Sequence, residues 1–376
     1  MKIQTFEVIP AGCHAMKRFL PMLVVGIGLI MGAKAEASLL MIGTNDGVVF
    51  GRSEYDLATH IPSSYITFGP GVVVTTLSSD AQGNVAVGTN VSGWIDVSTR
   101  PASNLSVVIT SLNTGNGIMS AAAGSTGQLV LGDADGLLFQ RQMTDLLAYP
   151  PGYTPPDGYD FGSPISAVTV LQNGNVVFGT ESGLVVIRSG NNLAAFPPGT
   201  IVGSVNFGEE ITSLAVDSNG QIVIGLIGGL VTVRTPEDLT ITTSSVNFGT
   251  SIRAICPMLD DTVAIGLANG QVSLRETADL TINLQTVTFD GSAVTAISYS
   301  LDGNLGIGTA LNSVFVRQGD NLLALPVGYV GADGLNFGAP ITALTFAVPE
   351  PSTVVSMLAG LFVVAVAQRR KRLSLR

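Results

Sequence analysis

The chain has few of the residues on which most catalytic sites depend. Its 376 residues include two cysteines, two histidines and one tryptophan. Beyond residue 35, the only cysteine is Cys256 and the only histidine is His60. An intramolecular disulfide and a metal site with two histidine ligands are therefore excluded there, and a hydrolase triad has one histidine available. The neighbours of Cys256 read as a buried strand, so we interpret it as a small core residue.

Positive charge is also scarce in residues 36–350. This segment has no lysine, and its eight arginines face 26 of the chain's 27 carboxylates, which gives a net charge near −18. Such a surface repels a phosphate backbone, so we expect no nucleic-acid partner. The charge favours solubility and attracts cations or a basic partner. The alternative is a solvated acidic surface with no specific partner.

The first 37 residues are typical of a secretory signal peptide. Met16, Lys17 and Arg18 are followed by an apolar stretch at residues 19–31, and small residues at Ala35 and Ala37 provide two cleavage sites. The fifteen residues before Met16 add nothing to this pattern, so Met16 is a second candidate for the start of translation. We therefore expect export, with residues 1–37 removed.

The last 29 residues, 348–376, contain a pattern in three parts. A proline-rich motif comes first: Val348, Pro349, Glu350 and Pro351. An uncharged, apolar run follows at residues 354–367. A basic stop comes last: Arg369, Arg370, Lys371 and Arg372. As a helix the apolar run spans about 21 Å, which is short for a transmembrane helix, and the basic stop belongs on the cytoplasmic side of a membrane.

In the order of its three parts, this tail resembles the PEP-CTERM sorting signal of exported bacterial proteins. The resemblance implies that an exosortase, an integral membrane processing enzyme, reads the Pro-Glu-Pro motif. It also implies that the C-terminal helix holds the chain in the inner membrane transiently, before the protein reaches the cell envelope or the extracellular matrix. A permanent anchor and a buried amphipathic terminal helix are the alternatives.

Between its two ends the sequence repeats itself seven times. Each copy has an apolar run that ends in glycine, a short turn, and a second apolar run. The glycines that close the first run are Gly43, Gly88, Gly132, Gly179, Gly225, Gly266 and Gly308. Their spacing of 41 to 47 residues is typical of propeller blades, and each copy reads as four short, β-branched strands.

The ends of the repeat array predict how the ring closes. The first copy starts directly at its second strand, near residue 38, and a stray strand remains at residues 341–346. We therefore predict an all-β, seven-bladed β-propeller over residues 38–347, in which the C-terminal strand completes the first blade. Closure also removes exposed sheet edges. An open β-solenoid and a pair of β-sandwiches are the alternatives, and neither explains seven copies with a stray strand.

An arginine ends the second apolar run in six copies, whereas Ser98 takes its place in the second copy. These arginines are Arg52, Arg141, Arg188, Arg234, Arg275 and Arg317. We interpret them as structural, with the guanidinium bound to carboxylates or carbonyls of a neighbouring blade. A ring of arginines that binds an anion is the alternative. Residues 179–184, Gly-Thr-Glu-Ser-Gly-Leu, resemble repeats of two-component-regulator-type propellers, and this resemblance implies no particular ligand.

One face of the predicted propeller is acidic. In propellers, the turns between second and third strands share a face with the links into each innermost strand. The carboxylates expected there are Asp46, Asp133, Asp135, Glu181, Glu209, Glu210 and Asp290. If they converge, they form a ligand face and a candidate Ca²⁺ site, because Ca²⁺ prefers oxygen ligands. The alternative is a set of solvated acidic turns, and we expect no other cofactor.

Function is predicted from these features together. We expect an exported, non-catalytic binding or structural module with a carbohydrate or protein ligand. The proline- and tyrosine-containing connectors on the other face either contact such a ligand or pack on the blade edge. The alternative is an extracellular polysaccharide lyase or hydrolase that uses a carboxylate pair on the acidic face.

Overall fold

The computed structural model describes residues 38–90, 96–154 and 158–347. The predicted signal peptide, the sorting motif, the apolar run and the basic stop lie outside the described residues. Within the described ranges the regular structure consists of β-strands alone. These ranges contain no helix with the length and apolar character that crossing a membrane requires.

The strands are short and follow one another regularly along the chain. The first fourteen are β1 Leu39–Thr44, β2 Val48–Ser53, β3 Asp56–Thr67, β4 Val74–Ser79, β5 Asn84–Thr89, β6 Val97–Pro101, β7 Thr110–Leu112, β8 Ile118–Ala123, β9 Gln128–Asp133, β10 Leu137–Gln142, β11 Tyr159–Asp160, β12 Ile165–Val170, β13 Val176–Thr180 and β14 Leu184–Arg188. The others are β15 Ser204–Asn206, β16 Ile211–Val216, β17 Ile222–Leu226, β18 Leu230–Arg234, β19 Thr242–Asn247, β20 Ile252–Pro257, β21 Thr262–Leu267, β22 Gln271–Glu276, β23 Asn283–Thr288, β24 Val294–Tyr299, β25 Asn304–Thr309, β26 Ser313–Gln318, β27 Leu335–Asn336 and β28 Ile341–Ala347.

These strands form seven four-stranded sheets, the blades of a propeller. In blades 2 to 7 the sheet order follows the chain order from the innermost strand outwards, beginning at β4, β8, β12, β16, β20 and β24. Each innermost strand contacts the innermost strands of both neighbouring blades, so the contacts run around a closed ring. The predicted all-β, seven-bladed propeller is confirmed.

The first blade is built from both ends of the propeller. Its sheet order is β28-β1-β2-β3, and β28 pairs antiparallel with β1, from Leu39 opposite Ala347 to Thr44 opposite Ile341. The predicted closing strand is confirmed. Because Leu39 is also in register with Ser53, the residues Ala347, Leu39 and Ser53 lie side by side across β28, β1 and β2.

Steric contact between blades explains the repeated glycine. A Cβ atom at Gly179 would overlap Ile211, which begins the innermost strand of the next blade. The same conflict joins Gly43 to Val74, Gly132 to Ile165, Gly225 to Ile252, Gly266 to Val294 and Gly308 to Ile341. None of these glycines has a positive φ. The close approach of the next blade therefore requires a glycine, and no special backbone conformation is involved.

The loops divide between two faces. The turns between second and third strands hydrogen-bond to the links between blades, for example from Phe207 N to Gly183 O at 2.9 Å and from Glu181 N to Pro164 O at 3.1 Å. We call this side the short-loop face. The first turn of each blade and the longer connector between its third and fourth strands lie on the other side, the long-loop face.

Candidate functional site

The predicted acidic residues are on the short-loop face, but they are spread over several blades. Four are exposed: Asp46, Asp135, Glu181 and Glu209. Glu210 and Asp290 are half-buried, and Asp133 is buried. No three acidic, histidine or cysteine side chains in the described part of the chain are grouped so that they could hold a metal ion. The structure therefore leaves the predicted Ca²⁺ site without a ligand set among these residues.

Asp133 caps a turn. Its Oδ1 accepts hydrogen bonds from Asp135 N at 3.0 Å and from Leu137 N at 2.8 Å. Thr180 caps the equivalent turn in blade 4, where its hydroxyl accepts a hydrogen bond from Leu184 N at 3.0 Å. Burial raises the pKa of Asp133. The aspartate thus replaces the threonine of other blades as a turn cap.

An arginine occupies the same register position in all seven blades. In blade 2 it is Arg100, which pairs with Val85 just as Arg52 pairs with Leu40 in blade 1. The prediction that Ser98 takes this place is wrong. The spacing in sequence is misleading here, because this arginine follows its repeat glycine by twelve positions, against nine in the other blades.

Each of these guanidinium groups lies over an aromatic ring. At six blade junctions the ring is a phenylalanine that follows the last strand of the preceding blade, for example Phe248 at 5.1 Å from Arg275 and Phe207 at 5.3 Å from Arg234. The others are Phe337 under Arg52, Phe68 under Arg100, Phe161 under Arg188 and Phe289 under Arg317. Arg234 also donates to a carbonyl of its own blade, Thr240 O, at 2.9 Å. The structural role is as predicted, but the neighbouring blade supplies rings and not carboxylates.

The tyrosines of the long connectors pack on the blade edges. Tyr149 stacks on Tyr153 with ring centroids 5.3 Å apart, and Arg141 lies 4.7 Å from the Tyr149 ring. The Tyr329 hydroxyl donates to Ala332 O at 3.2 Å. All three tyrosines are half-buried. This arrangement favours the packing interpretation over exposed contact residues.

The long-loop face contains an acidic cleft where blade 7 meets blade 1. Its volume is about 390 Å³. Its lining residues are Tyr55, Asp260, Tyr299, Asp302, Gly303, Asn304, Gln318, Asp320 and Val327. We call it the closure cleft. Three carboxylates and two tyrosines line it without an arginine or lysine among them, so its potential is negative.

Glu54 lies beneath the closure cleft and is fully buried. Its Oε2 accepts a hydrogen bond from Asn304 Nδ2 at 2.9 Å, whereas Oε1 has no hydrogen-bond partner in the described structure. Burial raises the pKa of Glu54 to about 7, and the nearby Asp302 adds to this effect. Asp302 in turn accepts a hydrogen bond from the Tyr55 hydroxyl at 3.3 Å.

The two cleft tyrosines respond to the same charges. The pKa of Tyr55 is raised by burial first, and then by the charges of Glu54 and Asp302. The pKa of Tyr299 is also raised, again by burial first and then by the charge of Asp260. Both phenols therefore stay protonated at neutral pH, and the Tyr55 hydroxyl donates its proton to Asp302.

Glu54 is not among the site residues predicted from the sequence, although the repeat contains a signal for it. Glu54 stands two positions after the arginine of its blade. In the other blades that position is uncharged: Ala102, Met143, Gly190, Pro236, Thr277 and Gly319. A carboxylate at a place where six copies are uncharged marks the one blade junction at which the ring closes.

Replacing Glu54 with glutamine should make stability less dependent on pH. The unfolded carboxyl loses its proton near pH 4.5 and the folded one near pH 7. The stability that the protonated folded form contributes is therefore complete below pH 4.5 and is lost as the pH rises through 7, by about 3 kcal/mol. We expect Glu54→Gln to be more stable than the native chain at pH 8, and similar to it at pH 4.5, by urea unfolding.

The matched control is Glu237→Gln, an exposed glutamate on the same face. It should follow the pH dependence of the native chain. The interpretation of Glu54 fails if its glutamine variant behaves at pH 8 like the Glu237 control.

Comparisons with known proteins show similarity of fold only. No family model and no curated protein matches the chain. Among solved structures it is similar to a computationally designed protein, Ika8, at 18% identity and a TM-score of 0.57, over 83% of this chain and 91% of that one. It is similar to Sqt1 of Saccharomyces cerevisiae at 12% identity and a TM-score of 0.52, over 73% and 77% of the two chains. A chain of a mitotic checkpoint complex matches at 14% identity and a TM-score of 0.57, over 72% and 80%.

These similarities support the propeller architecture. The site on this chain must therefore be argued from its own residues.

Proposed function

We propose that this chain is an exported, non-catalytic binding module that binds its ligand in the closure cleft. The observation that carries the binding role is the cleft itself, about 390 Å³ of acidic and aromatic surface above a buried carboxyl group. Its volume falls in the range of small-ligand sites. A ligand that fills it would contact blades 6, 7 and 1 at once.

Export and sorting are supported by the two ends of the sequence. The proposed route is removal of the N-terminal segment at Ala35 or Ala37, transient insertion of residues 354–367 in the inner membrane, and processing at the motif that includes Pro349 and Glu350 by an exosortase-type enzyme. The propeller then acts at the cell envelope or in the extracellular matrix. Its acidic surface keeps it soluble there.

The residues of the cleft favour binding over catalysis. It contains no histidine, lysine or cysteine, which supply most general bases and nucleophiles near neutral pH. Burial raises the pKa of the Cys256 thiol to about 12, so this cysteine remains protonated. A protonated thiol of this kind is a poor nucleophile.

A polysaccharide lyase or hydrolase is the second candidate. The observation that favours it is Glu54, an acid whose pKa is raised to about 7 by burial, close to the carboxylate of Asp302. Paired carboxyl groups of unequal acidity are the machinery of glycoside hydrolysis. This pair is on the long-loop face, whereas the sequence placed the acidic site on the other face.

Mass analysis of the exported protein tests the proposed route. Material secreted by a cell with an exosortase should begin at Glu36 or Ser38 and should lack residues 354–372. A Glu350→Ala variant should retain the tail, because the processing enzyme reads the Pro-Glu-Pro motif. Secreted protein that still carries residues 354–372 would exclude tail processing.

A further inference from the structure

We propose that the closure cleft binds an organic cation, an ammonium or guanidinium group carried by a free polyamine or by a lysine or arginine side chain. This inference rests on the proposed binding function and names the class of ligand. Four observations support it: an unpartnered acceptor, the spacing of the carboxylates, the scarcity of cations in the chain itself, and the apolar residues beside the acids.

The first observation is the unpartnered oxygen of Glu54. The residue is fully buried, yet Oε1 has no hydrogen-bond partner among the described residues. A buried acceptor without a donor is costly, and more so when it is charged. Asn304, which donates to the other oxygen, lines the cleft, so Glu54 lies directly behind a residue of the cleft wall and its charge adds to the negative potential there. Ammonium and guanidinium groups carry three to five donors and no acceptor.

The second observation concerns the kind of cation. The carboxylates of Asp260, Asp302 and Asp320 line the cleft but are not grouped as ligands of a metal ion. They are therefore too dispersed to surround one small ion, and they suit a cation whose charges or donors are spread along a chain. Tyr55 and Tyr299 add aromatic surface, which attracts organic cations.

The third observation is that the propeller cannot supply this cation. Residues 36–350 contain no lysine, and seven of their eight arginines lie over aromatic rings at the blade junctions. The eighth, Arg253, is exposed on the innermost strand of blade 6, towards the short-loop face. A second copy of the propeller is thus a poor partner, and the cation must come from another molecule.

The fourth observation is the apolar rim. Leu259 precedes Asp260 and is 69% exposed, Leu301 precedes Asp302 and is 74% exposed, and Val327 lines the cleft and is 86% exposed. Apolar side chains beside carboxylates match a ligand with an alkyl stem and a charged end. Lysine side chains and polyamines have this form. A second cleft, of about 350 Å³ and lined by residues of blades 6 and 7, lacks this match because Arg317 and Asp333 form an ion pair within it.

The test is calorimetric titration of the purified full chain at pH 8 and low salt with spermidine, with a pentalysine peptide, and with the same peptide acetylated on its lysines. Spermidine or pentalysine should bind, and the acetylated peptide should not. Glu54→Gln should weaken binding at least tenfold and Asp302→Asn at least threefold, while Glu237→Gln should stay within twofold of the native chain. Circular dichroism checks that each variant is folded. If Glu54→Gln does not fold, the Asp302→Asn variant still tests the site, because Asp302 is exposed.

Each outcome has a distinct meaning. Tighter binding of spermidine supports a free polyamine, and tighter binding of pentalysine supports a basic polypeptide. Equal affinity in all three variants would show that diffuse surface charge attracts the cation, which overturns the site. Binding of Ca²⁺ in preference to both probes would overturn the organic cation.

The inference and the proposed function can fail separately. If neither cation binds but a neutral oligosaccharide does, the ligand class is wrong and the binding module stands. If the native chain cleaves an oligosaccharide and Glu54→Gln abolishes turnover, the non-catalytic function is wrong.

Discussion

A chain that ends at Pro340 is expected to lose the cooperative fold of the whole propeller. The deletion removes β28, whose buried residues include Ile341 and Leu344. Each such side chain contributes about 2–5 kcal/mol, against about 5–15 kcal/mol for an entire domain. The strand also bridges its neighbours, because Ser79 of blade 2 donates to Phe346 O at 2.6 Å and Ser298 of blade 7 accepts from Phe346 N at 3.1 Å.

The comparison is between chains that end at residue 340 and at residue 347, both starting at residue 38. Thermal melting should show one cooperative transition for the longer chain and none for the shorter one. The shorter chain should also elute early or aggregate, since the edge of β1 is left unpaired. Equal melting temperatures would mean that β28 adds no stability.

The second large effect is expected at the arginine stacks. Arg188 lies 4.2 Å from the centroid of Phe196 and 5.5 Å from that of Phe161, and burial lowers the pKa of its guanidinium. An Arg188→Ala change removes a desolvated cation–π contact and leaves an apolar gap between blades 3 and 4. We expect a loss of about 2–4 kcal/mol in urea unfolding.

The matched control is Arg253→Ala, which removes an exposed arginine that lies over no ring in the described structure. Its effect should stay within about 0.5 kcal/mol. Arg188→Lys should fall between the two, because lysine keeps the charge but lacks the planar group that stacks. The stacking explanation is wrong if the two alanine variants lose equal stability.

The misplaced arginine of blade 2 shows where repeat reasoning is weak. The prediction of Ser98 rests on a nearly constant number of residues after Gly88, and a longer turn breaks that count. Strand pairing is set by cross-strand contacts, so Arg100 keeps its place opposite Val85 whatever the length of the turn. Spacing in sequence is a proxy for register, and it fails where a loop changes length.

The predicted acidic residues are not brought together in the described structure, for a related reason. A turn sequence places a carboxylate on a face, but it does not set the distance to carboxylates of other blades. Asp133 faces its own turn, and its hydrogen bonds to Asp135 N and Leu137 N occupy one of its oxygens. The exposed acids of the other blades stay separate.

The sequence by itself determined the architecture, because each blade is a local unit of about 45 residues whose glycine, turn and strand pattern is repeated seven times. It also determined the closure, because the unmatched strand at residues 341–346 had one vacant place in the ring. The closure cleft was decided only by the tertiary structure. Glu54 and Asn304 are 250 positions apart, and Tyr55 and Asp302 are 247 apart. No local pattern links residues so distant, and they meet because the last blade packs against the first.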